Sequence, residues 1–338
     1  MHLIVTFDDL APSGNGRGPA PDTPLARLDA AWTPLLQGLQ PQWRIEGSLE
    51  SLSTPAEQAR ARLLLGRAMR EEEDGRLPWA AWARGSPGPW ARLTPCHGLV
   101  GSDRITGLPP AALELQAEES RSLFDAVQPL FSSEGLALEW RGALEWQVGH
   151  DSLRGLPCAS LGRMVGDSMQ RWQGATPLAS ARLLRRLQNE AQMVLHDHPV
   201  NREREARRAL TVNSLWLSDA GAGDQIDGAA PAPVMAQRWR EAVDACAATQ
   251  TERVAAWRDS AARDPHGGAK GPDAAQQAST LVLCGRQGAQ AFALPSAEAR
   301  GGGWWQALQR RWAPAPPPRA LSDWQRELDG QMEPEGRR

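Results

Sequence analysis

Short strand-like apolar runs alternate along this chain with segments whose apolar residues recur at helical spacing. Residues 3–7 (LIVTF), 211–217 (TVNSLWL) and 279–285 (STLVLCG) have the composition and length of strands. Residues 54–73 and 178–197 instead place apolar side chains on one face of a helix. Strands interleaved with helices predict an α/β or α+β fold, with helices flanking a mixed sheet and an irregular helical C-terminal extension.

Shorter sequence patterns predict further strands and helices. The pattern L-E-W occurs at Leu138–Trp140 and again at Leu144–Trp146, around a glycine, and predicts two short antiparallel strands. Helices are predicted over residues 111–131 and 157–172. The sequence HPVN at 198–201 predicts the end of the helix over 178–197, because proline disfavours helical backbone at the residue before it. A charged turn is expected to follow.

The character of the sequence changes after residue 221. A helical stretch is followed by RDPHGGAKGPDAAQQ, whose composition is typical of a flexible linker. We therefore predict three parts. These are an α/β domain over residues 1–221, a helix and flexible linker over 222–278, and a strand-helix extension over 279–338.

The basic residues of this 338-residue chain are almost all arginine. Lys270 is the one lysine among 37 basic residues, and it lies in a stretch rich in glycine, proline and alanine. A phosphate-binding loop of the GK[ST] type and a Schiff-base enzyme each need a lysine in a structured site, so both classes are disfavoured. The chain has no tyrosine, which excludes a tyrosine nucleophile.

The net charge of the chain and the spacing of its cysteines indicate which partners and which cellular compartment to expect. The net charge of −3 provides no general attraction to nucleic acid or to an anionic membrane, and we expect neither as a partner. The four cysteines are too far apart in sequence for a metal-binding pair, which favours a reducing cytoplasm. The N-terminal apolar run meets Asp8 and Asp9 too early for a signal peptide or for a span of about 20 apolar residues. We expect a cytoplasmic protein.

Common catalytic signatures are not found in the sequence. It contains neither G-x-S-x-G nor H-E-x-x-H. Cys96 and His97 are adjacent, and neighbouring residues of a strand point to opposite faces, so the pair does not suit a nucleophile beside its base. His196 and His198 diverge on a helix, and no third ligand lies nearby in sequence. We therefore expect no metal and no other cofactor.

The densest group of polar motifs lies between Asn189 and Gly221. It combines a helix end with two asparagines and an arginine cluster beside a strand. Guanidinium groups grip phosphate or carboxylate in bidentate fashion, so the segment suits an oxyanion cradle. The other interpretation is a structural turn braced by asparagine side chains, with solvated arginines. The candidate ligand-binding residues are His198, Asn201, Arg204, Arg207 and Asn213.

This run resembles a proteobacterial family of RpfE-type regulatory or phosphoglycerate-mutase-like proteins. The matching text is NE-QM at 189–193, HPVN at 198–201, REAR at 204–207 and VNSLW at 212–216. Two upstream stretches, WARLTPCHGLVGSDRITG and EESRSLFDAVQPLF, also resemble the family, so the likeness covers most of residues 79–221. More distantly, the spacing of Asn201, Arg204 and Asn213 is similar to that in archaeal-type cofactor-independent phosphoglycerate mutases.

The resemblance implies a phosphoglycerate-mutase-like α/β domain, with departures at residues that matter for the reaction. Arg208 stands where the mutase motif has glycine, and Ser218-Asp219 replaces an Arg-Gly pair, which exchanges an anion contact for a carboxylate. The mutase also needs a Ser or Thr nucleophile and two metals held by Asp and His clusters, for which the sequence shows no D-x-D run. We therefore expect a non-catalytic, regulatory or ligand-sensing protein that binds a small phosphorylated or carboxylate ligand.

The alternative is an active metal-dependent phosphoglycerate mutase or phosphatase. In that case Asp8 or Asp9 would assemble a divalent-metal site with His97, His196 or His198. The identity of any protein partner is left open.

Overall fold

The computed structural model describes residues 2–7, 30, 32–174, 179–238, 280–294 and 319–330. The chain divides into two compact units. Unit 1 comprises residues 1–49, 55–68 and 241–338, and unit 2 comprises residues 50–54 and 69–240. Both contain a β-sheet with helices packed on it, so the fold class is mixed α/β, as predicted.

Unit 1 contains a four-stranded mixed sheet with the order β1-β9-β10-β2. The N-terminal strand β1 pairs in parallel with β9, and the other two pairings are antiparallel. The strands are β1 (His2–Thr6), β2 (Gln40–Glu46), β9 (Thr280–Cys284) and β10 (Gly288–Ala293).

Helices cover both faces of the unit 1 sheet. Leu3, Val5 and Leu281 lie in an apolar cluster with residues of helix α8 (Leu321–Leu328). Ile4 and Val282 lie in a second cluster, which includes Ala59 of helix α1 (Pro55–Leu65). Successive side chains of a strand point to opposite faces, and burial of both faces explains why β1 is a continuous apolar run.

Unit 2 contains an antiparallel sheet with the order β6-β7-β3-β8 and a separate hairpin, β4-β5. The L-E-W repeat forms the hairpin β6-β7 as predicted, with Trp140 opposite Trp146. The strands are β3 (Pro89–Cys96), β4 (Gly98–Val100), β5 (Ile105–Gly107), β6 (Ala137–Gly142), β7 (Glu145–Gly149) and β8 (Ser214–Ala222).

The unit 2 core lies between this sheet and two long helices. Leu93, Trp146 and Leu215 of the sheet pack in one cluster with Phe124 and Leu187 from those helices. The opposite face of the sheet carries a smaller cluster around Cys96, Trp172 and Trp216. The helices of unit 2 include α2 (Trp79–Arg84), α3 (Ala117–Ser133), α4 (Leu161–Met164), α5 (Met169–Gly174), α6 (Ala179–His196) and α7 (Pro199–Ala206).

Four segments differ from their sequence-based predictions. The charged stretch after His198 is helix α7 and not a turn, because a proline at the first helical position costs no hydrogen bond. The helix predicted over 157–172 is an extended segment followed by α4 and α5. The helix predicted over 54–73 consists of α1 and, after a break, a 3₁₀ turn at Glu71–Glu73. The helix predicted over 111–131 consists of a 3₁₀ turn at Pro110–Leu113 and, after a break, α3.

The two compact units differ from the linear division predicted at residues 221 and 278. The reason is the pairing of β1 with β9, which places the first residues of the chain and residues 280–284 in one sheet. The flexible linker predicted within 222–278 lies outside the described residues from 239 onward. Among the described helices, none is long and apolar enough to cross a membrane.

Candidate functional site

His198 forms the junction between α6 and α7. It is the N-cap residue of α7, and its Nδ1 accepts a hydrogen bond from the backbone N–H of Val200 at 3.2 Å. Pro199 follows at the first helical position, where its missing N–H costs nothing. Partial burial lowers the pKa of His198 below its usual value, so the ring favours the neutral form that can accept this bond.

Asn201 holds a backbone loop from inside the protein. Its Nδ2 donates to the carbonyl oxygens of Leu195 at 2.7 Å and Val212 at 2.8 Å. Its Oδ1 accepts from the N–H of Val212 at 2.9 Å. The residue is 2% exposed. Its amide therefore ties the end of α6 to the segment that leads into β8.

Asn213 makes the same kind of pairing with the first residue of β4. The N–H of Gly98 donates to Oδ1 at 2.7 Å, and Nδ2 donates to the Gly98 carbonyl at 2.9 Å. A Cβ at Gly98 would lie 2.7 Å from Ile105 Cγ2 and 3.0 Å from Met169 Sδ, so the backbone can approach closely only as glycine. Nearby, His97 Nδ1 is 2.8 Å from the carbonyl of Thr211.

Arg204 is a buried structural cation. Its side chain is 1% exposed, and Nε donates to the carbonyl of Leu210 at 2.7 Å. Nη1 bonds Glu119 at 2.5 Å, and Nη2 donates to the carbonyl of Leu113. A guanidinium held by these three partners inside the protein is shielded from a ligand in solution.

The carboxylate of Glu119 pairs with both arginines of the motif, Arg204 and Arg207. Arg207 bonds its second carboxylate oxygen but is itself 52% exposed. Two opposed effects act on the pKa of Glu119, and partial desolvation alone would raise it. The hydrogen bonds from the Gln116 N–H and Arg207, with the charges of both arginines, outweigh that effect and hold the pKa below its usual value.

The five predicted residues therefore occupy one neighbourhood without forming a single open site. Asn201, Arg204 and Asn213 hold backbone groups, and His198 caps a helix. Arg207 is the member with a substantially exposed side chain. The sequence interpretation missed Glu119, although Gln116 and Glu119 have the spacing of a helix capping box and could have indicated it.

The residues of the alternative metal site are only partly described. Asp8 and Asp9 lie outside the described residues. Within the described ranges, no three His, Cys, Asp or Glu side chains are grouped as metal ligands. Burial raises the pKa of the Cys96 thiol to about 12, which keeps it protonated at neutral pH.

A cleft in unit 2 has an empty volume of about 400 Å³, part of which is open to solvent. Helix α6 contributes Ala181, Leu184, Arg185 and Gln188. Strand β8 contributes Trp216 and Leu217. The remaining lining residues come from the extended segment before α4 and from α5, namely Leu156, Cys158, Ala159, Trp172 and Gln173.

Comparison with known proteins finds weak structural similarity. No known protein family and no curated protein matches the chain. The chain is similar to a cofactor-independent phosphoglycerate mutase from Thermoplasma acidophilum DSM 1728, at 14% identity and a TM-score of 0.31 over 88% of this chain and 90% of that one. It is similar to a Pyrococcus horikoshii protein at 13% identity and a TM-score of 0.36, over 99% and 98%.

Proposed function

We propose that this protein is a phosphoglycerate-mutase-like protein that acts without catalysis, as a regulatory or ligand-sensing module in the cytoplasm. The observation that carries the proposal is that the asparagine and arginine side chains of the motif bond to the protein's own backbone. Asn201, Arg204 and Asn213 direct their polar atoms to the backbone of the protein itself. Side chains committed to such bonds brace a fold and do not bind a reacting substrate.

The proposed ligand is a small phosphorylated or carboxylate compound. Two motif side chains are accessible enough to contact it at the surface. Arg207 is half exposed, and a guanidinium can bind phosphate or carboxylate with two parallel hydrogen bonds. His198 is also partly exposed, and it lies at the opposite end of α7 from Arg207. The cytoplasmic location is consistent with the free thiols of Cys96, Cys158 and Cys284.

A binding and activity experiment on the full-length protein tests this function. Isothermal titration with 3-phosphoglycerate is expected to show binding that weakens in Arg207→Ala. A mutase assay with added manganese is expected to show no turnover, and metal analysis of the purified protein no bound divalent ion. Turnover with bound metal would instead establish the alternative, an active metal-dependent mutase or phosphatase. Absence of binding to any phosphorylated acid would refute ligand sensing.

A further inference from the structure

The carboxylate of Glu119 divides its two oxygens between the interior and the surface of unit 2. Oε2 accepts a bond from the buried Arg204 and another from the backbone N–H of Gln116 at 3.1 Å. Oε1 accepts a bond from Nη2 of the half-exposed Arg207. Loss of the bond to Arg207 would leave both bonds of Oε2 in place. The surface half of this arrangement can therefore open while the buried half stays closed.

Arg207 already holds an anion of the kind that a guanidinium binds from solution. In the part of the chain that the structure describes, the bond to Glu119 is the one that its side chain makes. A ligand that binds Arg207 must therefore displace the Glu119 carboxylate. Glu119 is tethered beside Arg207, so its effective concentration is far above that of a free anion. It acts as an internal competitor for the site.

The charges around this competitor do not attract anions from a distance. Arg204 and Arg207 share one carboxylate, which leaves a single positive charge on the three residues. The exposed charged residues within five positions of them in sequence are Glu114, Glu118, Arg121, Arg202, Glu203, Glu205 and Arg208. These are four carboxylates and three arginines, which offset the remaining positive charge. A ligand must therefore be recognised by its direct bonds to Arg207.

A phosphate monoester is better suited than a carboxylate to displace Glu119. A free carboxylate has the same charge and the same two oxygens as the tethered one, so it gains nothing in the exchange. A phosphate monoester carries a charge of about −1.5 to −2 at pH 7 and three acceptor oxygens. It can take two parallel bonds from the guanidinium. The released Glu119 stays bonded to Arg204, which limits its repulsion of the incoming phosphate.

We propose that Glu119 is an internal competitor that makes Arg207 selective for phosphate monoesters over carboxylates. Binding exchanges the bond between Arg207 and Glu119 for a bond between Arg207 and the phosphate. This inference rests on the ligand binding proposed above for Arg207, and it narrows the ligand from phosphorylated or carboxylate compounds to phosphorylated ones. Glu119 sets the affinity that a ligand must exceed and does not itself contact the ligand.

Titration of the full-length protein with 3-phosphoglycerate, and with glycerate as the counterpart without phosphate, tests the competition. The unaltered protein is expected to bind 3-phosphoglycerate and to show no measurable binding of glycerate. Glu119→Gln removes the competing charge and is expected to raise the affinity for 3-phosphoglycerate about threefold to fivefold, the strength of a partly exposed ion pair. Glu118→Gln is the matched control. Glu118 is the preceding residue on α3 and is exposed, and its replacement is expected to leave the affinity nearly unchanged.

A measurement on the unaltered protein covers the case in which Glu119→Gln disturbs the fold around the buried Arg204. The side-chain carboxyl carbon of Glu119 gives an NMR signal that depends on its bonds. Saturation with 3-phosphoglycerate is expected to shift this signal towards its position in Arg207→Ala without ligand, because both changes remove the same bond. The corresponding signal of Glu118 is expected to stay in place.

The outcomes separate this inference from the proposed function. Binding of 3-phosphoglycerate with an unmoved Glu119 signal, or an equal gain in affinity in Glu118→Gln and Glu119→Gln, would overturn the competition and leave ligand sensing intact. Equal affinity of the unaltered protein for glycerate and 3-phosphoglycerate would overturn the selectivity. Binding to Glu119→Gln alone would support the competition. Absence of binding to both the unaltered protein and a folded Glu119→Gln variant would refute ligand binding at Arg207 itself.

Discussion

Asn201 pairs with Val212 as a neighbouring strand would, because its side-chain amide both donates to the Val212 carbonyl and accepts from the Val212 N–H. Asn201 lies in α7, and Val212 lies in the irregular segment between α7 and β8. Backbone groups buried in a loop need partners, and here one side chain supplies both. The asparagine of the motif therefore substitutes for secondary structure at a point where the chain has none.

Replacement of Asn201 by alanine is expected to lower the free energy of unfolding by about 2–3 kcal/mol, since it leaves the N–H of Val212 and the carbonyls of Leu195 and Val212 without these bonds. Urea denaturation measures the change. Asn189→Ala is the control, because Asn189 lies in the same stretch of sequence but is exposed. Its effect is expected to stay within about 0.5 kcal/mol. Equal losses in the two variants would contradict the role of Asn201 as a brace.

Arg204 and Arg207 bond the same carboxylate but are expected to differ strongly in their contribution to stability. Arg204→Ala leaves Glu119 and two backbone carbonyls without a buried partner and is expected to cost about 3–5 kcal/mol. Arg207→Ala removes a half-exposed partner and is expected to cost about 1 kcal/mol or less. Thermal denaturation of both variants without ligand measures the difference. A negligible effect of Arg204→Ala would restore the interpretation of Arg204 as a ligand-binding residue.

The close packing at Gly98 predicts that Gly98→Ala destabilises unit 2. The added methyl group would meet Ile105 and Met169 at distances that the neighbours must relieve by moving. A loss of about 1–3 kcal/mol is expected from such overpacking. Gly142→Ala provides the comparison, because a Cβ there meets nothing within 4 Å and the backbone is not in the left-handed region. A loss as large in Gly142→Ala would show that the effect at Gly98 is not steric.

The pH dependence of unit 1 is expected to include a contribution from His2. Burial lowers the pKa of His2 from 6.5 to about 4. The unfolded chain therefore takes up a proton at higher pH than the folded chain does. The stability that His2 contributes is present above pH 6.5 and is lost as the pH falls from 6.5 towards 4.

Urea denaturation at several pH values measures this contribution. His2→Gln is expected to flatten the dependence of unfolding free energy on pH between 6.5 and 4. The exposed His196 is the control position, and His196→Gln is expected to leave that dependence unchanged. A pH profile that is the same in His2→Gln and in the unaltered protein would contradict the assignment to His2.

Helices and strands that show a pattern among neighbouring residues could be predicted from the sequence. The hairpin β6-β7 follows from two strand-like repeats around a glycine, since its partners are adjacent in the chain. Helix α6 follows from apolar residues on one face. The sequence predicts a turn at the position of helix α7. HPVN ends one helix, but the same proline is favourable at the start of the next.

The environment of the motif could be predicted only in part. The sequence indicated that Asn201 and Asn213 suit loop bracing and that the arginines suit oxyanions, but it could not decide between a ligand and the backbone as their partner. Glu119 is remote in sequence from Arg204, and the distance between them closes only when α3 and α7 pack in unit 2. The cleft likewise exists only because β8 is an outer strand beside α6.

The sequence by itself determined the fold class and several of the helices and strands, among them α6, β1 and β9, because apolar periodicity is a property of neighbouring residues. It also determined which chemistry is disfavoured, since a chain without tyrosine and with one lysine lacks those reactive groups. Only the tertiary structure decided that β1 pairs with β9 and that Arg204 is buried. Strand pairing and burial depend on contacts between residues distant in the chain, and these contacts assigned the motif to bracing the fold.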